Sequence, residues 1–399
     1  MSRAQLVAMA QRNIAHTRAN VGDQEPAPLL VPTSNYSDPE RWQLEIDRIF
    51  KRVPLLVAFG GELREPDSYK AMTAAGVPIL VTRSRDGEIK AFVNMCSHRG
   101  AIVVADGCGT ARGFSCPYHG WAYDTGGRLV GITNRREFGA VDTENLGLTP
   151  LPAGERAGMV FVGLTPGADL HLDGFLAGYD EVLAHFNLGE WHLFSRREIE
   201  GPNWKLAYDG YLDYYHLPIL HQNSFGPDAS NKAIYHVFGP HQRMSRPDPS
   251  LLELADSPDD WDINATVGGV WTMFPNVSMA IYRGESVLLS QLFPGPTPDR
   301  SITVQSYFLA EPPDEAAAAK AAEHADLLEK VVREEDYTTC YGIQTAVSTG
   351  ARQSFLFGCN EGGGHRFHSW VERLIDAEDG ELGLLFASAA LADGQRPSE

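Results

Sequence analysis

The sequence is short of positive charge: 33 Lys and Arg stand against 52 Asp and Glu in 399 residues, a formal net charge of −19. Such a surface repels phosphate backbones and anionic lipid, which sets aside nucleic acid and membrane partners. An apolar run of ~18 residues, the least a spanning helix needs, does not occur. Met1 to Asn20 mixes Arg, Gln and His with its apolar residues and lacks a secretory hydrophobic region, so cytoplasmic residence is expected. Cysteine is scarce too. Cys96, Cys108, Cys116, Cys340 and Cys359 are an odd set of five, a poor disulfide framework but a usable supply of ligands.

What is present is ordinary globular composition, 43% hydrophobic and 21% charged, with enough length for two domains. Residues 3–19 read as a short helix, followed by a segment punctuated by Pro26, Pro28 and Pro32. Asp38-Pro39-Glu40 supplies helix-start signals for a helix over 40–50, with apolar Trp42, Leu44, Ile46 and Ile49. The texture then changes to short β-rich runs at 55–59, 79–82, 89–94, 114–116, 129–132 and 159–164, separated by Gly, Asp and Pro. The expected organisation is an N-terminal segment (1–40), an all-β domain (41–167), a second domain (168–390) and a frayed tail (391–399). Residues 179–186 read as a helix at the domain junction.

Inside the β-rich stretch lie Cys96-Ser97-His98-Arg99-Gly100 and Cys116-Pro117-Tyr118-His119-Gly120-Trp121, with seventeen residues between His98 and Cys116. Each pair follows a predicted strand, so two loops can clasp one metal centre. Two thiolates on one iron and two imidazoles on the other is the ligation of a Rieske 2Fe–2S cluster, with a potential of about −150 to +300 mV. A zinc site with two Cys and two His uses the same residue types. Zinc knuckles usually pair Cys with Cys and His with His, whereas each loop here gives one of each, and that favours the cluster. Cys108 matches no ligand position and reads as a turn residue.

A second ligand-type set runs from Asp209 to His221, Asp-Gly-Tyr-Leu-Asp-Tyr-Tyr-His-Leu-Pro-Ile-Leu-His. Asn203-Trp204-Lys205 is expected to open a helix that carries it. Asp213 then stands one turn before His216 and Asp209 nearly two, on roughly one face. Pro218 is expected to end regular helix near Leu217, letting His221 swing back to the same metal. Two histidines and a carboxylate make the facial triad of a non-haem iron(II) site with open positions. Two acids compete for the third place. Asp213 is local. Asp336 lies in a predicted helix over 314–349, in line with Leu328, Val332 and Cys340, where an acid is costly to bury without a partner. Glu334 and Glu335 fit a helix surface better. Asp209 reads as a partner behind the metal residues, a substrate contact or a plain surface acid.

Taken together, these motifs resemble the large (α) subunits of aromatic-ring-hydroxylating Rieske oxygenases, over most of the chain. The resemblance implies an α+β protein: an N-terminal all-β Rieske domain, then a catalytic domain whose antiparallel sheet is wrapped by helices (helix-grip, START-like). It implies a Rieske 2Fe–2S cluster on Cys96, His98, Cys116 and His119, and a mononuclear iron(II). Glu335-Asp336, with Gln344 eight beyond, resembles the segment carrying the third iron ligand, which gives His216, His221 and Asp336. Asp213 is then an electron bridge, bonded to His216 in its own subunit and to His119 of a neighbour. A ligating histidine needs an acceptor for its other N–H, and a nearby carboxylate supplies it. Centres too far apart within one subunit for useful transfer imply a head-to-tail ring of three, a homotrimer or one joined by small β subunits.

Strands are expected at 270–274, 277–282, 287–293 and 301–309. Their Met273, Phe274, Met279, Ile281, Leu288 and Leu289 are individually core residues by type. With Phe225 they suggest an apolar pocket for an aromatic or alicyclic substrate, to be hydroxylated once or twice. N- or O-demethylation of a small substrate is the alternative. A Rieske electron carrier with a ligand-binding domain explains residues 96–121 but not His216, His221 and Asp213. His365 and His368 read as structural. Neither a Gly-x-Gly-x-x-Gly loop nor Cys-x4-Cys-x2-Cys occurs, so a separate NAD(P)H-dependent reductase and perhaps a ferredoxin are implied.

Overall fold

Phe50–Leu172 with Asn187–Trp191 form one unit, and Met1–Ile49, Asp173–Phe186 and His192–Glu399 the other, in a computed structural model that describes residues 2–254 and 257–394. The division falls later than the sequence suggested. The helix Pro39–Glu45, capped by Asp38, belongs to the larger unit because Glu45 is buried there. Its Oε2 accepts from Trp204 Nε1 at 3.0 Å and from the Lys205 ammonium. The expected tail also begins too early, since the helix Leu382–Gly394 runs through its first residues. Residues 395–399 lie outside the described residues.

The smaller unit is all antiparallel β. One sheet runs Pro150–Leu151, Ile89–Val93, Val77–Arg83, Ser68–Ala74, Gly107–Thr110, and a second Ala153–Arg156, Met159–Val162, Leu55–Phe59. The third, Gly113–Ser115, Ala122–Asp124, Leu129–Gly131, carries one of the Cys-His loops. Cys108 is in a strand, paired across from Lys70, not in a turn. The expected turn rested on its flanking glycines, but strand pairing holds that segment extended.

In the larger unit a seven-stranded antiparallel sheet runs His192–Gly201, Ser301–Leu309, Ser286–Pro294, Val277–Tyr282, Gly269–Met273, His241–Ser245, Ile234–Phe238. Both faces are covered. Trp271 meets Tyr179 and Phe186 on one. On the other, the helix Glu315–Lys330 lays Ala321, Ala325 and Leu328 against Leu288 and Tyr307. That helix is capped by Asp314, widens to a π-helical turn over Val331–Asp336 and continues as Tyr337–Val347. The N-terminal segment joins this unit by pairing Leu29–Pro32 with Ser354–Phe357.

The expected continuous helix over the second motif is broken. Asn203 caps Trp204–Asp209, but the helix stops at Gly210, and a separate short helix spans Leu217–Leu220. Glycine is the poorest helix former after proline, and Asp213 competes for the backbone by accepting from His216 N at 3.2 Å. Pro218 therefore sits in a first turn, where its missing N–H costs nothing, rather than ending a helix.

Candidate metal centres and active site

The two Cys-His loops are copies of one another. In each, the cysteine carbonyl accepts from a glycine four residues on, Gly100 N to Cys96 and Gly120 N to Cys116, both at 2.9 Å. Those glycines have φ of 77° and 69°, the left-handed region that glycine adopts freely. Each cysteine N–H then donates to the chain five residues on, to Ala101 and Trp121, both at 2.8 Å. The matching Cys-x3-Gly spacing is visible in the sequence and explains why both loops turn alike.

These loops bring the four predicted cluster residues together. Cys96 and Cys116 are buried free thiols. The His98 and His119 rings lie 4.6 Å apart, and His98 stacks on Trp121 at 4.9 Å. His98 Nδ1 is buried without a hydrogen-bond partner, an arrangement costly for a ring nitrogen unless something is bound there. Two buried thiols and an orphaned imidazole nitrogen fit a 2Fe–2S cluster. The Tyr123 hydroxyl accepts from Ser97 N at 3.0 Å and lies 3.2 Å from Cys96 Sγ, to which it would donate once that sulfur is a cluster thiolate. Burial, with the neighbouring sulfur, pushes that hydroxyl up to about 12. Arg99 meets His119 Nε2 at 2.6 Å; desolvation, this charge and His98 lower the His119 pKa.

In the larger unit His216, His221 and Asp336 converge, with ligand atoms all within 4.8 Å of one another. Asp336 Oδ1 lies 3.1 Å from His221 Nε2 and 3.9 Å from His216 Nε2. Both Nδ1 atoms are taken: His216 Nδ1 by Asp213 Oδ1 at 2.9 Å, His221 Nδ1 by Glu335 Oε2 at 2.6 Å. Burial depresses both imidazoles, but the carboxylates outweigh it and hold each above its ordinary pKa. Two Nε2 atoms and a carboxylate oxygen facing one point fit a mononuclear iron.

Glu335 is the residue that sequence reasoning missed, having set it on the helix surface. The π-helical turn is the reason. It offsets the helix register between Val331 and Asp336, so that adjacent acids both reach the histidines. Ser224 Oγ donates to the other Glu335 oxygen. Asp209 accepts from Tyr36 Oη at 2.8 Å and meets His368 Nε2 at 3.0 Å, as a residue behind the metal histidines' helix would. His365 bonds the Gly358 carbonyl at 3.0 Å.

The Rieske [2Fe-2S] domain family matches residues 54–146, and the ring hydroxylating alpha subunit (catalytic domain) family matches residues 188–377. The chain belongs to the Rieske non-haem iron oxygenases, as a large (α) subunit. It is an oxidoreductase, the terminal oxygenase component, and its cofactors are a Rieske 2Fe–2S cluster and a mononuclear iron. Chloroplastic choline monooxygenase of Beta vulgaris is 26% identical over 365 residues, 87% of this chain and 77% of that protein. The chlorobenzene dioxygenase α subunit of Cupriavidus sp. (strain PS12) is 32% identical over 187 residues, 45% of this chain and 42% of its own. A crystal structure of a quaternary ammonium Rieske monooxygenase in complex with L-carnitine shares the fold, with a TM-score of 0.74 at 22% identity, covering 88% of this chain and 97% of that one. No helix among the described residues is long and apolar enough to cross a membrane.

The expected apolar pocket of this oxygenase needs correction. Strand register puts Met273, Met279, Ile281 and Leu289 on the sheet face that also carries Trp271, away from the metal residues. Phe274 packs on Phe367 at 5.9 Å. Leu288 is on the metal side, but under the helix Glu315–Lys330. The metal-side face also carries Thr272, Ser278, Ser290 and Gln305, one row of cross-strand partners. Residue type alone could not reveal this, since alternation sends neighbours to opposite faces. Phe225 packs against a metal histidine, its ring 5.2 Å from His221.

Proposed function

We propose that this oxygenase inserts oxygen from O2 into a small organic substrate held beside His216, His221 and Asp336, using electrons from a separate reductase and ferredoxin. The observation that carries this is the orientation of the two imidazoles. Each has its own carboxylate at Nδ1, which fixes the tautomer and leaves both Nε2 atoms for one metal. The bound iron supplies reductive activation of dioxygen, and the chain's residues hold and orient it. Cys96, His98, Cys116 and His119 would hold the cluster.

Asp213 is the proposed electron bridge. Both of its bonds to His216 use Oδ1, which leaves Oδ2 for His119 of a neighbouring subunit. Beside it Tyr215 and Ile219 are exposed, and around the cluster loops Tyr118 and Phe138 are exposed. Such apolar surface supports the docking of one subunit's cluster loops on the next subunit's iron helix, in a ring of three.

The names of the choline and carnitine relatives favour a substrate with polar groups over a bare hydrocarbon, and with it oxidation next to nitrogen as the second reading. The test is metal counting and turnover with a surrogate ferredoxin and reductase. Three irons per chain and substrate-stimulated oxygen uptake with an oxidised product are expected. Two irons per chain with no oxygen uptake would make the protein an electron carrier instead.

A further inference from the structure

One cross-strand row, on the sheet face turned away from the metal residues, holds a charge that nothing balances. His236 stands opposite Arg243, and Arg243 opposite Trp271, on three neighbouring strands. Side chains so placed start roughly 5 Å apart, which lets their polar ends share one ligand. Arg243 is fully buried, and burial pulls its pKa down only to about 10, so it is a cation at neutral pH. Among the described residues no carboxylate pairs with it, and the groups that act on its charge are the phenols of Tyr214 and Tyr179. Its fork makes one strong bond, to the Gly268 carbonyl at 2.7 Å, and a long one of 3.4 Å to His236 Nδ1. The guanidinium also lies over the Trp271 ring at 5.4 Å, but such a contact offsets only part of the cost of burying a full charge.

Three donors in this row lack an acceptor. Arg243 Nε and Trp271 Nε1 are buried without a partner, and both can only donate. His236 Nε2 is buried and unpartnered as well. Because Arg243 can only donate, the Nδ1 that it meets is the bare nitrogen of His236, and Nε2 carries the proton. Burial and the charges of Arg243, Arg12 and His16 hold that imidazole well below its ordinary pKa, hence neutral. Asp23 cannot serve the row. Its Oδ1 is taken by Arg12 at 2.6 Å and His16 at 3.0 Å, and its Oδ2 accepts from Tyr235 N at 2.7 Å. Tyr179 and Phe186 cover Trp271, and the Tyr179 hydroxyl donates to the Gln242 carbonyl at 2.9 Å. A chain of net charge −19 has acids in abundance, yet places none here. One positive charge and three buried N–H groups are matched by a single small monovalent anion.

We propose that His236, Arg243 and Trp271 bind one chloride-sized anion, a buried site on the far side of the sheet from the iron. It does not depend on the oxygenase reading. The same strands carry Tyr235 and Met244 on their other face, where Tyr214 of the metal motif packs and donates to the Met244 carbonyl at 3.2 Å. The anion thus steadies the strands on which that motif rests.

Thermal unfolding of the holoenzyme in chloride against gluconate, at fixed ionic strength, tests it. The midpoint should rise with chloride, by about 2–5 °C per ten-fold once chloride exceeds its dissociation constant. Trp271→Phe keeps a ring and loses one N–H, so about ten-fold more chloride should be needed for the same gain. Arg243→Met should lose the response. In chloride-free buffer it should be no less stable than the parent, since the unpaired charge is gone. An arginine that merely packs would instead cost stability at every chloride concentration, and that result would sink the idea. Crystals grown in bromide should show an anomalous peak within hydrogen-bond reach of Arg243 Nε. A midpoint indifferent to chloride, an unchanged response in Trp271→Phe, or a row filled only by water would overturn the proposal. So would a bromide peak without any response in solution, which would mark an adventitious ion only.

Discussion

Glu335 grips His221 from behind: its Oε2 lies 2.6 Å from Nδ1, while the Nε2 of the same ring faces Asp336 Oδ1 at 3.1 Å. Adjacent acids on one helix thus act on opposite edges of one imidazole. Glu335→Gln keeps the shape but replaces a carboxylate with a neutral amide, weakening the hold on the ring. Affinity for the mononuclear iron is expected to fall by about 10- to 100-fold, the usual cost of losing a partner behind a ligand. The 2Fe–2S absorption should not change. Iron analysis against chelator concentration measures both, and equal iron retention in the variant would reduce Glu335 to a surface acid.

Asp336→Ala should remove the mononuclear iron altogether while two irons per chain and the cluster spectrum remain. Asp213→Ala should keep all three irons, because Asp213 stands behind His216 rather than in front of it. The reverse pattern would exchange the roles of the two acids.

Both acids were visible in the sequence, and the reason they were sorted only by resemblance is physical. Asp213 and His216 are one helical turn apart on paper, yet they meet through a turn that follows Gly210. The short-range motif survived that error because three-residue spacing closes in either geometry. Glu335 did not survive, because a π-helical turn is a register shift with no composition signal. The β-rich domain was legible from strand punctuation, though weakly patterned strands such as Ser68–Ala74 and Gly107–Thr110 were not. The substrate pocket failed for a different reason. Apolar content located the strands, but only register could say that Met279 and Ile281 turn away while Ser278 and Ser290 turn toward the metal side.

The fold of the larger unit also depends on a buried charge pair. Lys205 and Glu45 are both fully buried and bonded to each other, and Trp204 Nε1 and Arg41 Nε add two more donors to the same carboxylate. Burial lowers the Lys205 pKa and Glu45 opposes that shift. Glu45→Ala would strand the ammonium in the core, so a loss of about 3–5 kcal/mol is expected in chemical denaturation. Replacing both residues with apolar ones of similar volume should recover much of that loss. A single variant as stable as the parent would show that water reaches Lys205.

The cluster's potential should depend on Tyr123. Its hydroxyl points at Cys96 Sγ, 3.2 Å away, and a donor to a ligand sulfur stabilises the reduced, more negative cluster. Tyr123→Phe removes the donor and leaves the ring that packs beneath the loops. The midpoint potential is expected to move down with the absorption spectrum retained. An unmoved potential would mean that the proton is directed elsewhere.

Electron delivery tests the assembly as well as the residue. Asp213→Asn keeps the side chain's size and one acceptor oxygen for His216 but removes the charge. Three irons per chain and a reducible cluster should persist, while product formation drops by about 10- to 100-fold or more. Geometry is tested by mixing two inactive chains. Cys116→Ser lacks a sound cluster but keeps its iron site, and His216→Ala lacks the iron but keeps its cluster. If electrons pass between subunits, co-assembled rings of the two should regain activity, since some irons then neighbour an intact cluster. Adding Asp213→Asn to the Cys116→Ser chain should abolish that recovery, because the only working irons now sit behind a neutral side chain. Adding it to the His216→Ala chain should leave recovery intact, since that chain contributes only its cluster. Recovery that is indifferent to where Asp213→Asn is placed would show that electrons reach the iron by a route that does not use this carboxylate.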